Sequence, residues 1–170
     1  MIEAGYFEAS YAHRRIDLMS WTTYRDLLLD DPIIFLPVGA LEQHGPHLPM
    51  GCDAILAAAI TARVAEALNG LQLPALTYGY KSQARSGGGQ TFPGTTSLDG
   101  ATLTSLVRDI IREVARHGGR RIAIVNGHVE NQWFLTEGID LALRELASSN
   151  RQMQIVRCEY WNYTPQAILN

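Results

Sequence analysis

Two short segments hold the residues best suited to chemistry: Glu42-Gln43-His44 followed by Asp53, and His128-Val129-Glu130. Each comes just after an apolar run that reads as a β-strand. Together they supply two imidazoles and three carboxylates from stretches about 75 positions apart. Imidazole and carboxylate without thiolate favour zinc, manganese or similar divalent ions over Cu(I) or an iron–sulfur cluster. Three carboxylates against two such ions leave a net positive centre, able to lower the pKa of a water towards ~7 for hydrolysis. Bare, the same carboxylates repel one another, so the site is expected to be looser without metal.

Either pair alone would be ordinary, because Glu-x-His and His-x-Glu are common. Two pairs at equivalent strand ends, with Asp53 besides, are what point to metal. The other imidazoles have plainer readings. His47, in Gly45-Pro46-His47, reads as a loop residue, and His13 as solvent-facing. His117, just before Gly118-Gly119, suits the negative end of a helix. The Gly87-Gly88-Gly89 run lacks the Gly-Lys-Ser/Thr ending of a phosphate loop and does not open a helix directly after a strand, so it reads as a flexible wall of the site.

The elements that must position these groups alternate along the chain. Ser20 is placed to cap a helix through Trp21 to Leu29, which Asp31-Pro32 breaks ahead of the apolar run Ile33-Ile34-Phe35-Leu36. Ala54 to Leu68 reads as a helix stopped at Asn69-Gly70. Leu73 to Thr77 reads as a weaker strand, since Pro74 removes a ladder donor. Thr96 and Ser97 offer capping groups for an amphipathic helix carrying Leu103, Leu106, Val107, Ile110, Ile111 and Val114. Arg121 to Val125 is another strand, Asn131 to Ala147 another helix, and Gln154 to Tyr160 a fourth strand. Strands joined through helices predict an α/β layer architecture, a mainly parallel β-sheet flanked by helices on both faces. In such sheets sites form beyond the carboxyl ends of the strands, where both ligand clusters fall. Within each pair the two residues are two apart, which in extended backbone puts both side chains on one face.

Composition agrees with a single domain over residues 1–170. A chain of this length buries roughly 70% of its unfolded surface. Apolar residues make up 46% and charged ones 18%, and no apolar stretch approaches the ~20 residues that span a bilayer, so no membrane role is expected. The net charge of -3 comes without a basic stripe, which argues against nucleic acid as partner. Cys52 and Cys158 are too few for a disulfide framework or a thiolate metal site. No charged-then-apolar leader opens the chain, so the expected location is cytoplasmic.

Longer strings of residues carry a family resemblance. Leu36-Pro37-Val38-Gly39-Ala40-Leu41-Glu42-Gln43-His44-Gly45-Pro46-His47, then Asp53, Phe92-Pro93-Gly94-Thr95-Thr96-Ser97 and Asn126-Gly127-His128 with Glu130-Asn131 resemble the creatininase (creatinine amidohydrolase) family. Tyr78-Gly79-Tyr80-Lys81-Ser82-Gln83, Ser86-Gly87-Gly88-Gly89 and Leu98-Asp99-Gly100-Ala101-Thr102-Leu103 extend the likeness over most of positions 30 to 162. The resemblance implies two divalent ions per chain, zinc and/or manganese. Glu42 and His128 would hold one, His44 and Glu130 the other, and Asp53 would bridge them. It also implies a layered α/β fold, a homohexamer, and hydrolysis of a cyclic amide as the small-molecule substrate, with creatinine opened reversibly to creatine. His128 and Glu130 are then the catalytic candidates. Ser86 matches a substrate-contacting serine and Trp161 an aromatic near the pocket.

Two departures bear on specificity. The family pattern has tyrosine between the metal-binding His and Glu, where this chain has Val129, with neither a hydroxyl nor an aromatic face for a flat guanidine-like ring. The family also uses a segment beyond the equivalent of Trp161 to bind substrate and handle a proton, and the expectation is that this chain lacks it. These departures keep open hydrolysis of formamides, peptides or cyclic ketones, and a non-catalytic metal-binding or assembly subunit.

Overall fold

The protein is described here from a computed structural model covering residues 11–86, 88–148 and 152–163, with the Ser86 side chain outside the described set. Four parallel strands form one sheet in the order β2-β1-β3-β4: β1 (Ile33–Val38), β2 (Leu71–Gln72), β3 (Arg121–Asn126) and β4 (Gln154–Glu159). Val38, Asn126 and Glu159 stand in register across β1, β3 and β4, so these strands end at one common edge.

The local chemistry explains the elements. Ser20 Oγ accepts the Thr23 N–H at 3.1 Å and caps α1 (Trp21–Leu27). Asp31, left-handed at φ 49°, turns the chain into β1. From β1 a loop returns to α2 (Cys52–Ala67), and Asn69 takes the left-handed stop at φ 51°, leaving the Gly70 N–H to bond Ala65 at 2.8 Å. The remaining helices are α3 (Gly100–Arg116) and α4 (Gln132–Ser148).

The helices divide between the two faces of the sheet. Ile34, Leu36, Val38, Ile122 and Ile124 pack against Leu103, Val107 and Ile111 of α3 and Leu135, Ala142 and Leu146 of α4. On the other face Phe35, Ala123 and Val125 meet Ala65 of α2. Truncating a side chain as deep as Ile124 to Ala would cost ~2–5 kcal/mol. Among the described residues no helix is long and apolar enough to cross a membrane.

Three expectations shift. The second strand lies at Leu71–Gln72, not Leu73 to Thr77. Pro74 cannot donate, so regular pairing stops, although the N–H groups of Leu73 and Leu76 still reach the carbonyls of Phe35 and Pro37 at 2.8 and 2.9 Å. The helix expected from Thr96 and Ser97 begins at Gly100 with Asp99 as N-cap, because Thr96 and Leu98 are held in bridges to Leu41 and Tyr80. The backbone of His128 to Glu130 is not extended throughout: His128 is (φ -135°, ψ 121°), but Val129–Asn131 forms a 3-10 turn that leads into α4.

Close backbone approach then sets the site. A Cβ on Gly39 would lie 2.3 Å from the Ala54 nitrogen, and one on Gly127 would lie 2.5 Å from the Asp53 carbonyl oxygen. Only glycine lets the first turn of α2 rest on the ends of β1 and β3. Asp53 is carried there with it.

Candidate metal centre

Glu42 leaves the end of β1 in an irregular loop whose N–H bonds the Met50 carbonyl at 2.9 Å. The His44 ring folds back so that Nδ1 donates to the Glu42 carbonyl at 3.0 Å, which leaves Nε2 facing Asp53 Oδ1 at 3.0 Å. The other Asp53 oxygen, Oδ2, lies 2.9 Å from His128 Nδ1. Glu42 Oε2 lies 3.5 Å from the same nitrogen. One ligand atom from each of Glu42, Asp53 and His128 falls within 4.8 Å of the others, a spacing that one cation can span. Glu130 approaches from the opposite side of the ring, with Oε2 3.3 Å from His128 Nε2 and Oε1 accepting the Gln83 N–H at 3.1 Å.

Of the five residues expected from the sequence, Glu42, Asp53 and His128 come within reach of one cation, while His44 is joined to them through Asp53 and Glu130 through Nε2 of His128. Asp53 stands between the two imidazoles, and Glu130 meets the cluster from the His128 side. Asp53, His128 and Glu130 are buried, and Glu42 and His44 are partly covered. Burial opposes a charge on His128, but the Asp53 hydrogen bond and the carboxylates of Asp53, Glu130 and Glu42 outweigh it and raise the imidazole pKa. Three carboxylates drawn together out of water carry a charge excess that two imidazoles do not balance even when both are protonated. The donor set thus fits divalent cations, with oxygen and imidazole ligands and no thiolate.

The glycine-rich loop walls this cluster. Gly88 is left-handed at φ 60°, and Gly89 packs so closely that a Cβ there would stand 2.5 Å from Glu42 Oε1. The Gly89 N–H is held by Ser82 Oγ at 3.0 Å. Val129 is 46% exposed between the two ligand positions. Trp161 is partly buried in the turn after β4, edge-on to Tyr160 with ring centroids 5.4 Å apart. The side chain of Ser86 lies outside the described residues, so its expected contact with substrate is not placed.

Sequence reasoning missed several groups. Burial, then the Asp53 carboxylate, then Cys52 raise the Tyr160 phenol pKa, and the ring packs on the Phe35, Ala65, Ala123 and Val125 face of the sheet, although the sequence marks it only as a strand end. The Tyr80 carbonyl touches His128 Nε2 at 2.9 Å, and a backbone contact leaves no side-chain signature. Asn126 and Asn131 are fully buried polar residues beside the cluster, and their flanking of the Gly127-His128 pair was the available signal.

A parallel α/β sheet that collects carboxylates and imidazoles beyond its carboxyl edge defines a divalent-metal protein of the layered α/β class. The family model described as creatinine amidohydrolase matches residues 17–168, and the chain belongs to the creatininase family. Creatinine amidohydrolase from Pseudomonas putida is 54% identical over 147 residues, covering 85% of this chain and 56% of that protein. A creatininase variant solved in the Zn-Zn form superposes with a TM-score of 0.87 at 51% identity, over 91% of this chain and 61% of the other. A manganese creatininase gives 0.87 at 52% identity, over 91% and 62%. The chain thus spans little more than half the length of these relatives.

Proposed function

We propose that the protein is a two-metal amidohydrolase that opens a cyclic amide, creatinine to creatine, with zinc or manganese as its ions. The observation that carries this reading is the Asp53 carboxylate, which turns one oxygen to His44 and the other to His128. Kinship with the Pseudomonas putida enzyme and with the zinc and manganese creatininases supports the substrate and the ions.

In this assignment Glu42, His44, Asp53, His128 and Glu130 hold the ions. Bound there, they supply Lewis acidity that polarises the amide carbonyl and makes water nucleophilic. The chain's own groups do the rest. Gln83 orients Glu130 through its N–H, and His128 and Glu130 sit beside the reacting carbonyl as the catalytic pair. Ser86 and Trp161 contact the substrate, Val129 forms the wall next to the ligands, and the Gly88–Gly89 backbone keeps water from the back of Glu42. In this reading residues 1–170 form a single creatininase-like α/β domain. A cytoplasmic homohexamer fits the family resemblance, and the exposed Trp21, Leu29 and Tyr163 are apolar surface that subunit contacts could cover.

The test is to strip the purified protein with a chelator, reload it with zinc or manganese, count the ions and assay creatine formed from creatinine. About two ions per chain and metal-restored turnover are expected, with both sharply reduced in Glu130→Gln. Failure to take up metal would end this reading. Uptake without turnover of creatinine or any other amide would favour a non-catalytic metal-binding subunit.

A further inference from the structure

We propose that Asn131 is a positioning residue of the metal centre: its buried carboxamide fixes the Tyr80 carbonyl against Nε2 of His128, so that the ring presents Nδ1 to the cation. This rests on the reading that the cluster holds a divalent ion. Asn131 is fully buried in the turn between β3 and α4, and its carboxamide joins three segments. Oδ1 accepts the Tyr80 N–H at 2.8 Å, while Nδ2 donates to the Gly39 carbonyl at 3.0 Å and to Asn126 Oδ1 at 3.3 Å. Asn126, equally buried, grips the backbone of the ligand itself. Its Nδ2 donates to the His128 carbonyl at 2.8 Å and its Oδ1 accepts the His128 N–H at 3.2 Å.

This pattern leaves one orientation for each amide. Flipping Asn131 would set its oxygen against the Gly39 carbonyl and its NH2 against the Tyr80 N–H, two mismatches at a fully buried side chain. Tyr80 is therefore held at its nitrogen, and its ring is held too, tilted by 41° against Phe134 with centroids 4.1 Å apart. Its carbonyl points at His128 Nε2 from 2.9 Å, and a carbonyl only accepts, so Nε2 carries the proton. Glu130 Oε2, 3.3 Å from the same nitrogen, is a second acceptor there. When a cation displaces the Nδ1 proton that Asp53 Oδ2 otherwise accepts, the lone pair on Nδ1 faces the ion together with Asp53 Oδ2 and Glu42 Oε2. A ligand imidazole whose other N–H is tied to a fixed carbonyl is pre-set in tautomer and direction, and losing such support typically costs ~10–100-fold in metal affinity.

The experiment uses the full chain, labelled with nitrogen-15 at histidine and loaded with zinc. Ring-nitrogen spectra are expected to show His128 bound through Nδ1 with Nε2 protonated. Asn131→Asp, which loses both amide donations, is expected to bind zinc ~10–100-fold more weakly and to lose the single His128 ring state, while circular dichroism before metal addition stays native. Zinc on Nε2 of His128 in the unsubstituted protein would overturn the proposal whether or not the variant folds. So would wild-type zinc affinity in a folded Asn131→Asp. Absence of zinc uptake by the unsubstituted protein would instead bring down the metal-centre reading, and this proposal with it.

Discussion

Asp53 Oδ2 and His128 Nδ1 meet at 2.9 Å across 75 positions of sequence, in a contact between the first turn of α2 and the loop after β3. Neither residue reaches the other by its own length. The contact exists because the α2 backbone lies directly on Gly127, where a Cβ would come within 2.5 Å of the Asp53 carbonyl.

Replacing Asp53 with Asn tests this junction. The amide keeps the shape but removes the charge that faces both His44 and His128, so it weakens every ligand set that shares it. Divalent-ion affinity is expected to fall by more than the ~10–100-fold typical of an outer-sphere partner, and ion counting after dialysis reads the loss. Two tightly held ions in Asp53→Asn would contradict the assignment of this carboxylate.

Gly127→Ala probes the same contact from the backbone side. A methyl overlapping the Asp53 carbonyl must push α2 off the ends of β1 and β3. Overpacking of this kind costs ~1–3 kcal/mol, or ~2–12 °C in Tm for a domain of this size. The variant should also take up less metal, because the displaced element carries Asp53. An unchanged Tm measured by thermal denaturation would mean that α2 is not seated as described.

Metal addition should raise stability measurably. With free zinc at ~100 times its Kd, binding to the folded state alone adds ~2.7 kcal/mol, a rise of ~5–11 °C in Tm. Relief of repulsion among Glu42, Asp53 and Glu130 acts in the same direction. Melting curves with and without chelator give the comparison, and superimposed curves would count against a metal centre at this cluster.

Much of this architecture can be read from the chain because periodicity and capping are local signals. The apolar runs at Ile33 and Arg121 announce buried strands, and the spacing from Leu103 to Val114 announces a helix that the structure buries along one stripe. What goes unread depends on distant partners. Thr96 and Ser97 look like helix caps, yet the bridges to Leu41 and Tyr80 hold this stretch extended until Asp99. The ligand residues are visible by type and position, whereas the Tyr80 carbonyl and the Gly39 and Gly127 contacts are not. Those depend on how close two backbones come, which no residue in isolation encodes.

The Cys158 thiol offers a probe of the β4 edge. Burial raises its pKa, the Glu159 carboxylate adds to this, and Arg157 offsets part of it. Its Sγ also leans on the Ile124 carbonyl at 3.6 Å. At neutral pH its alkylation by iodoacetamide should therefore be slower than that of an unfolded cysteine, and should accelerate as pH climbs past the ordinary thiol range. A folded pKa above the unfolded one makes this contribution to stability fully present below the unfolded pKa, and lost as pH rises towards the folded value. Mass spectrometry of the labelled peptide against pH decides the matter, and fast labelling of Cys158 at pH 7 would show that the strand edge is open.

Val129 is the position where substrate preference can be tested without touching a ligand. It stands between His128 and Glu130 and is 46% exposed, so a larger ring there extends into open space and does not force the core apart. Tyrosine, the residue of the family pattern, would add an aromatic face and a hydroxyl beside the proposed pocket. Such a face is worth ~0.5–1.5 kcal/mol against a flat ring, which corresponds to ~2–10-fold. If creatinine is the substrate, Val129→Tyr should raise kcat/KM by that factor, mainly through KM, while the ion count stays at its original value. If instead the variant keeps its metal and loses creatinine turnover, the pocket is shaped for another amide, and assays on formamides and short peptides should then show the activity that Val129 accommodates.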